Sequence, residues 1–142
     1  MKEKNNKIKL LRELKIKNIF LESEFFERTS KKQLEKIDEI SIERGYVYEQ
    51  VQKELNLIVT YRIFLERENT RVAYYTITFR EIFETDINFE SLLKNSRAKK
   101  FYLENYADKI LWPYLRIYLN EVLMKSRLPQ IILPINIENQ SF

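Results

Sequence analysis

The clearest pattern in the chain is the strict alternation that begins near residue 54. Leu55, Leu57, Val59, Tyr61, Ile63 and Leu65 fall on one face and Asn56, Thr60, Arg62 and Glu66 on the other, the period-two signature of a strand with one side buried. After a polar turn at Glu68-Asn69-Thr70, a return strand from Arg71 to Phe83 places Ala73, Tyr75, Ile77 and Phe79 on one face, with Tyr74, Thr76, Thr78 and Arg80 opposite. The two segments predict an antiparallel hairpin. Upstream, Leu14 to Phe26 mixes β-branched and aromatic residues with charges. It predicts a strand with Leu14, Ile16 and Phe20 pointing one way and Lys15, Lys17, Ile19 and Leu21 the other. Apolar groups on both faces imply that the strand's own domain covers one face and something else part of the second. Thr29 to Lys36 reads as a polar turn, with Leu34, Ile37 and Ile40 able to extend it amphipathically. Ile40 to Gly45 predicts a short strand ending at the only glycine, placed where the backbone needs a conformation closed to other residues.

Beyond Asp86 the period changes. Phe89, Leu92, Leu93, Phe101, Leu103 and Tyr106 fit a short irregular helix, and Asp108 is placed to cap the next one. Pro113 then either occupies that helix's first turn or kinks it. From Tyr114 to Lys125, Leu115, Ile117, Tyr118, Leu119, Val122 and Leu123 take well over half the circumference, leaving Arg116, Asn120 and Glu121 as a narrow polar strip. A helix that apolar is buried on more than one side. One sheet covers one flank, so the other is expected to meet a second copy of the protein. After Lys125-Ser-Arg127, Pro129 and Pro134 predict an extended tail carrying Ile131, Ile132, Leu133 and Ile135.

Composition narrows the chemistry. The 142 residues fit one domain, 1–142. No Cys and no His are present, which excludes Ser-His-Asp and Cys-His nucleophile systems and the usual zinc sites. With one glycine the chain cannot build the glycine-rich loops that cradle phosphates. A carboxylate pair remains conceivable for catalysis, but the acidic residues alternate with apolar ones as solvated faces do, so no enzyme, cofactor or metal is expected. The net charge of +4 arises from interleaved signs, with short basic clusters at Lys2, Lys4, Lys7 and Lys9 and at Arg97, Lys99 and Lys100. Runs this short are solvated faces more often than nucleic-acid patches. Charges interrupt every candidate signal or membrane-spanning stretch, so a cytoplasmic protein is expected. An aromatic share of 13% exceeds the needs of a small core and suits a binding surface.

The helix Lys109-Ile-Leu-Trp-Pro-Tyr-Leu-Arg-Ile-Tyr-Leu-Asn-Glu and the tail Leu128-Pro-Gln-Ile-Ile-Leu-Pro-Ile-Asn-Ile, following a sheet, resemble the end of the SecB chaperone family. Glu81-Ile82-Phe83 stands where that family has its Ile-Phe pair, and Lys17-Asn-Ile-Phe-Leu-Glu22 is similar to its first strand. The resemblance implies an α+β fold, a four-stranded antiparallel sheet followed by a long helix. It also implies dimers paired through first strands and helices, and dimers of dimers with helices sandwiched between two sheets. The implied activity is that of an ATP-independent holdase for unfolded or precursor polypeptides, handed in many cases to the export motor SecA.

By position, the resemblance places Phe25, Phe26, Leu34, Ile82, Phe83, Leu128, Ile131, Ile132, Leu133 and Ile135 around a client groove, although any of them can instead be core. It places Ile16, Ile19, Trp112, Tyr114, Leu115, Tyr118 and Val122 at oligomer interfaces, with core the alternative for Trp112 and Tyr114. Members that dock on SecA present acidic residues on the outer sheet face. Here Asn18, Glu22, Tyr74 and Thr76 occupy those positions, so Glu22 is the one candidate SecA contact. The chain is basic where typical members are acidic and is not expected to form their second helix, which leaves a SecB-like chaperone dedicated to an antitoxin as the alternative. A basic nucleic-acid adaptor and a purely structural subunit are the more distant readings.

Overall fold

The structure is a computed structural model that describes residues 14–30, 34 and 36–131. The alternating segments form four strands, β1 (Lys15–Arg28), β2 (Glu39–Val51), β3 (Glu54–Arg67) and β4 (Thr70–Glu84). They make one antiparallel sheet in the order β1-β4-β3-β2. The β3–β4 hairpin turns on Glu68 and Asn69, both with positive φ (52° and 61°). A two-residue loop with this backbone matches the right-handed twist of its strands.

Every second residue of β3 and β4 is buried, Leu55 to Leu65 on one strand and Ala73 to Phe83 on the other. This inner face is covered by the helical half: α1 (Phe89–Leu93), α2 (Ser96–Tyr102), a π-helical segment (Leu103–Asp108) and α3 (Lys109–Lys125). Asn88 and Asn95 cap α1 and α2, their side chains accepting from backbone N–H groups of the first turn. From α3, Leu111, Trp112, Leu115, Leu119 and Leu123 enter the core, each worth about 1.5–3 kcal/mol of burial. Trp112 meets the Tyr61 ring edge-on at 6.1 Å, while Tyr114 and Tyr118 lie 6.5 and 6.0 Å from Phe79. Arg28 of β1 donates to the carbonyl of Ser126 just past α3, a cation at the negative end of the helix.

Three sequence expectations change, and of the two alternatives for Pro113 the first turn is excluded. Gly45 does not end a strand: it lies in the middle of β2 opposite Thr60, and no glycine has positive φ. Its missing side chain flattens the outer face beside Thr60 and Thr78, whose hydroxyls are 2.9 Å apart. Register shifts between Ile16 and Asn18 and between Leu21 and Ser23 break the alternation of β1. Ile16, Ile19 and Leu21 therefore oppose inner-face residues of β4, and Phe20 opposes outer-face Arg80. Asp108 caps nothing, because the chain is already helical when it reaches that residue; its carboxylate instead meets Arg44 and accepts from the Tyr61 hydroxyl at 3.0 Å. Pro113 lies inside α3 and is exposed.

The Arg44–Asp108 pair ties β2 to the helical half with both side chains almost fully covered. Breaking a covered pair leaves one charge without compensation. Asp108→Ala is expected to cost about 3–5 kcal/mol, measured by urea unfolding; a loss below about 1 kcal/mol, the level of an exposed pair, would contradict this role.

Candidate functional site

Among the described residues, three apolar surfaces stand out once the sheet has been covered. The first lies at the end of the inner face where β1 and the tail meet α3. The Phe26 ring lies tilted against Tyr75 at 6.2 Å, whose hydroxyl donates to Glu24 at 2.6 Å. Burial, and then that bond to Glu24, raise the Tyr75 pKa. Leu34, Ile37, Ile40 and Ile131 are half-buried against the same core, and Leu128 is buried. The tail is seated by two bonds: the Leu128 N–H to the Leu123 carbonyl (2.9 Å) and the Ile131 N–H to the Asn120 side chain (3.1 Å). Sockets of half-buried aliphatic and aromatic side chains can take apolar groups of another chain without any fixed polar pattern.

The second surface is the outer face of the sheet. Phe25, Tyr74 and Phe64 form a row across β1, β4 and β3 with ring centroids 6.3 and 5.1 Å apart, and Arg71 covers Phe64 at 4.4 Å. Glu22 is paired with Arg80 on this side. The third is the solvent flank of α3, where Tyr114, Ile117 and Met124 are 44, 65 and 60% exposed. Glu121 lies between Ile117 and Met124 on the helix and bonds Lys125 at 2.9 Å.

The residues expected around one groove are thus divided. Phe26, Leu34 and Ile131 are half-buried against the core, and Leu128 is buried in it. Phe25 and Ile82 oppose Thr76 and Asn56 on the outer face, so neither can line a groove with Phe26; consecutive strand residues point to opposite sides. Phe83 is fully buried in the core of the chain. Ile132, Leu133 and Ile135 lie outside the described residues. Of the expected interface residues, Trp112 and Leu115 belong to this chain's own core, Tyr118 and Val122 are half-buried against it, and Ile16 and Tyr114 are exposed. Ile19 is half-buried on the edge strand β1.

Sequence reasoning missed a buried polar group beneath the helical half: Glu81, Tyr61, Asp108, Arg44 and Tyr102. Parity could have found Glu81, since Ala73, Tyr75, Ile77 and Phe79 lead to residue 81 on the inner face. Burial raises the Asp108 pKa, against the opposing pull of Arg44. Burial, reinforced by Asp108, pushes Glu81 up to about 9. Glu81 is fully buried and Asp108 nearly so.

No protein-family model and no curated protein sequence matches the chain. Among solved structures, it is similar to the SecB-like chaperone of Mycobacterium tuberculosis in complex with a peptide from the HigA1 antitoxin, with a TM-score of 0.72 over 96% of this chain and 100% of that one, at 14% identity. The chain has the SecB-like fold. The four-stranded sheet followed by a long helix is common to both. Within this SecB-like fold, no helix of the described residues is long and apolar enough to cross a membrane.

The two flanks of α3 should differ sharply under mutation. Leu119→Ala is expected to cost about 2–5 kcal/mol through cavity formation. Ile117→Ser should change the stability of an isolated subunit by no more than about 0.5 kcal/mol, with urea unfolding at low protein concentration as the measurement.

Proposed function

We propose that the protein is an ATP-independent molecular chaperone that binds unfolded polypeptide segments at the surface formed by Phe26, Leu34, Leu128 and Ile131. The observation that carries this reading is the set of half-buried aromatic and aliphatic side chains, Phe26, Leu34 and Ile131, that pack against the core without being enclosed by it. A groove of such side chains binds by burying apolar groups of the client, so sequence selectivity is low and no nucleotide is required. The SecB-like fold supports the same reading. The neighbour's antitoxin peptide favours, as a second reading within this class, a chaperone dedicated to an antitoxin.

Oligomerisation belongs to the proposal. The exposed Tyr114, Ile117 and Met124 on α3, together with the exposed apolar residues of edge strand β1, are where a second copy pairs, giving a dimer or a dimer of dimers in the cytoplasm. An edge strand presents unpaired backbone groups that another chain can satisfy. Glu22 already spends its charge on Arg80, which weakens it as a contact for SecA. Binding through apolar surface also separates this reading from a basic nucleic-acid adaptor, whose affinity would fall steeply with salt.

The test is light scattering of a denatured model protein without nucleotide. Suppression of aggregation at stoichiometric chaperone is expected, reduced several-fold in the double variant Phe26→Ser, Ile131→Ser. No suppression by the unmodified protein would overturn the proposal. Ile117→Asp is expected to reduce the assembled mass in light-scattering chromatography, and an unchanged mass would remove α3 from the interface.

A further inference from the structure

Glu81 sits on the inner face of β4 between Ile19 of β1 and Leu57 of β3, and it is 0% exposed. Neither of its carboxyl oxygens has a hydrogen-bond partner among the described residues. A carboxylate so placed would lose its hydration with no compensating donor, and such a group takes up a proton instead. The titratable groups bearing on it come from three directions: Asp108 on the π-helical segment, Tyr61 on β3 and Tyr102 on α2. The nearby cation, Arg44 of β2, is engaged by Asp108. Tyr102 supplies the complementary feature, since its hydroxyl is also buried without a partner.

Above Glu81 the helix is irregular. The segment Leu103–Asp108 is π-helical, with the Lys109 N–H bonded to the Glu104 carbonyl five residues back. Its Tyr106 joins a chain of ring contacts with the neighbouring elements: Tyr106 edge-on to Phe83 at 5.8 Å, and Tyr102 of α2 stacked on Tyr106 at 5.5 Å and edge-on to Phe89 at 4.8 Å. π-helical turns within helices are rare and are found frequently at functional sites.

We propose that Glu81 is a proton-held latch: as a neutral acid it lets the π-helical segment and α2 lie on the sheet, and loss of its proton lifts them from β4. Lifting uncovers Phe83, Phe89, Tyr102 and Tyr106, so, on the chaperone reading, alkaline pH would enlarge the apolar surface open to a client. The direction follows from linkage. The folded chain holds this proton up to about pH 9, whereas an unfolded chain releases it near 4.5. Folded stability therefore falls as pH rises between those values and levels off above them. Asp108 shifts in the same direction and remains in a Glu81 variant, so only the difference between the two proteins reports Glu81. Tyr61 and Tyr102 are raised above their ordinary 10.0 and stay neutral throughout.

The experiment follows urea unfolding of the full chain from pH 6 to 9, beside Glu81→Gln. The unmodified protein should gain up to about tenfold in its unfolding constant per pH unit relative to the variant. Parallel curves would overturn the latch. A second readout needs no variant: the infrared carbonyl band of a protonated carboxyl should persist at pH 7.5 and disappear by about pH 10, one unit beyond the 9 expected here. Its absence at pH 7.5 would likewise overturn the proposal. Neither measurement contains a client, so a negative result here is distinct from failure to suppress aggregation, which would sink the chaperone reading alone.

Discussion

The structure depends on a mismatch between one helix and one sheet. The inner face of β3 and β4 needs a cover, and α3 provides it with Leu111, Trp112, Leu115, Leu119 and Leu123. The helix nevertheless carries more apolar side chains than that contact can use, and Tyr114, Ile117 and Met124 are left facing out. A monomeric protein rarely keeps a large contiguous apolar surface open to water without a use for it. The same surplus appears along β1, where Ile16, Phe20, Leu21 and Phe25 are exposed, so the described residues form a finished core with unfinished surfaces.

That distinction explains what could be read in advance. The β3–β4 hairpin was legible because one buried face imposes a period of two over a long stretch, and the return from Leu55–Leu65 to Ala73–Phe79 repeats it on both strands. The apolar excess of the final helix was equally plain. Which flank served the core was not, because Trp112 and Tyr114 look alike in composition while their positions on the helix differ by about 200°, twice the step of a 3.6-residue turn. Trp112 is in the core and Tyr114 is exposed.

The remaining differences come from features without a local signature. Bulges in β1 insert Lys17 and Glu22 into the ladder; they invert the alternation between them and restore it beyond, so the faces of Ile19, Phe20 and Leu21 could be assigned only once the register was known. The placement of Glu81 and Asp108 depends on contacts between elements far apart in sequence. Asp108 looked like a cap because acidic residues before apolar runs usually are; the π-helical segment ahead of it removes that role and turns its carboxylate toward Arg44. The candidate groove was partly legible for the same reason that the core was: apolar residues announce burial, but not whether their own chain or another provides it.

Native mass spectrometry of the purified protein, alone and with an equimolar reduced and unfolded polypeptide, tests the central claim most directly, since one spectrum reports both subunit number and client capture. The account predicts an assembly of two or more copies that retains the polypeptide in the absence of nucleotide. A monomer that leaves the polypeptide free would contradict it.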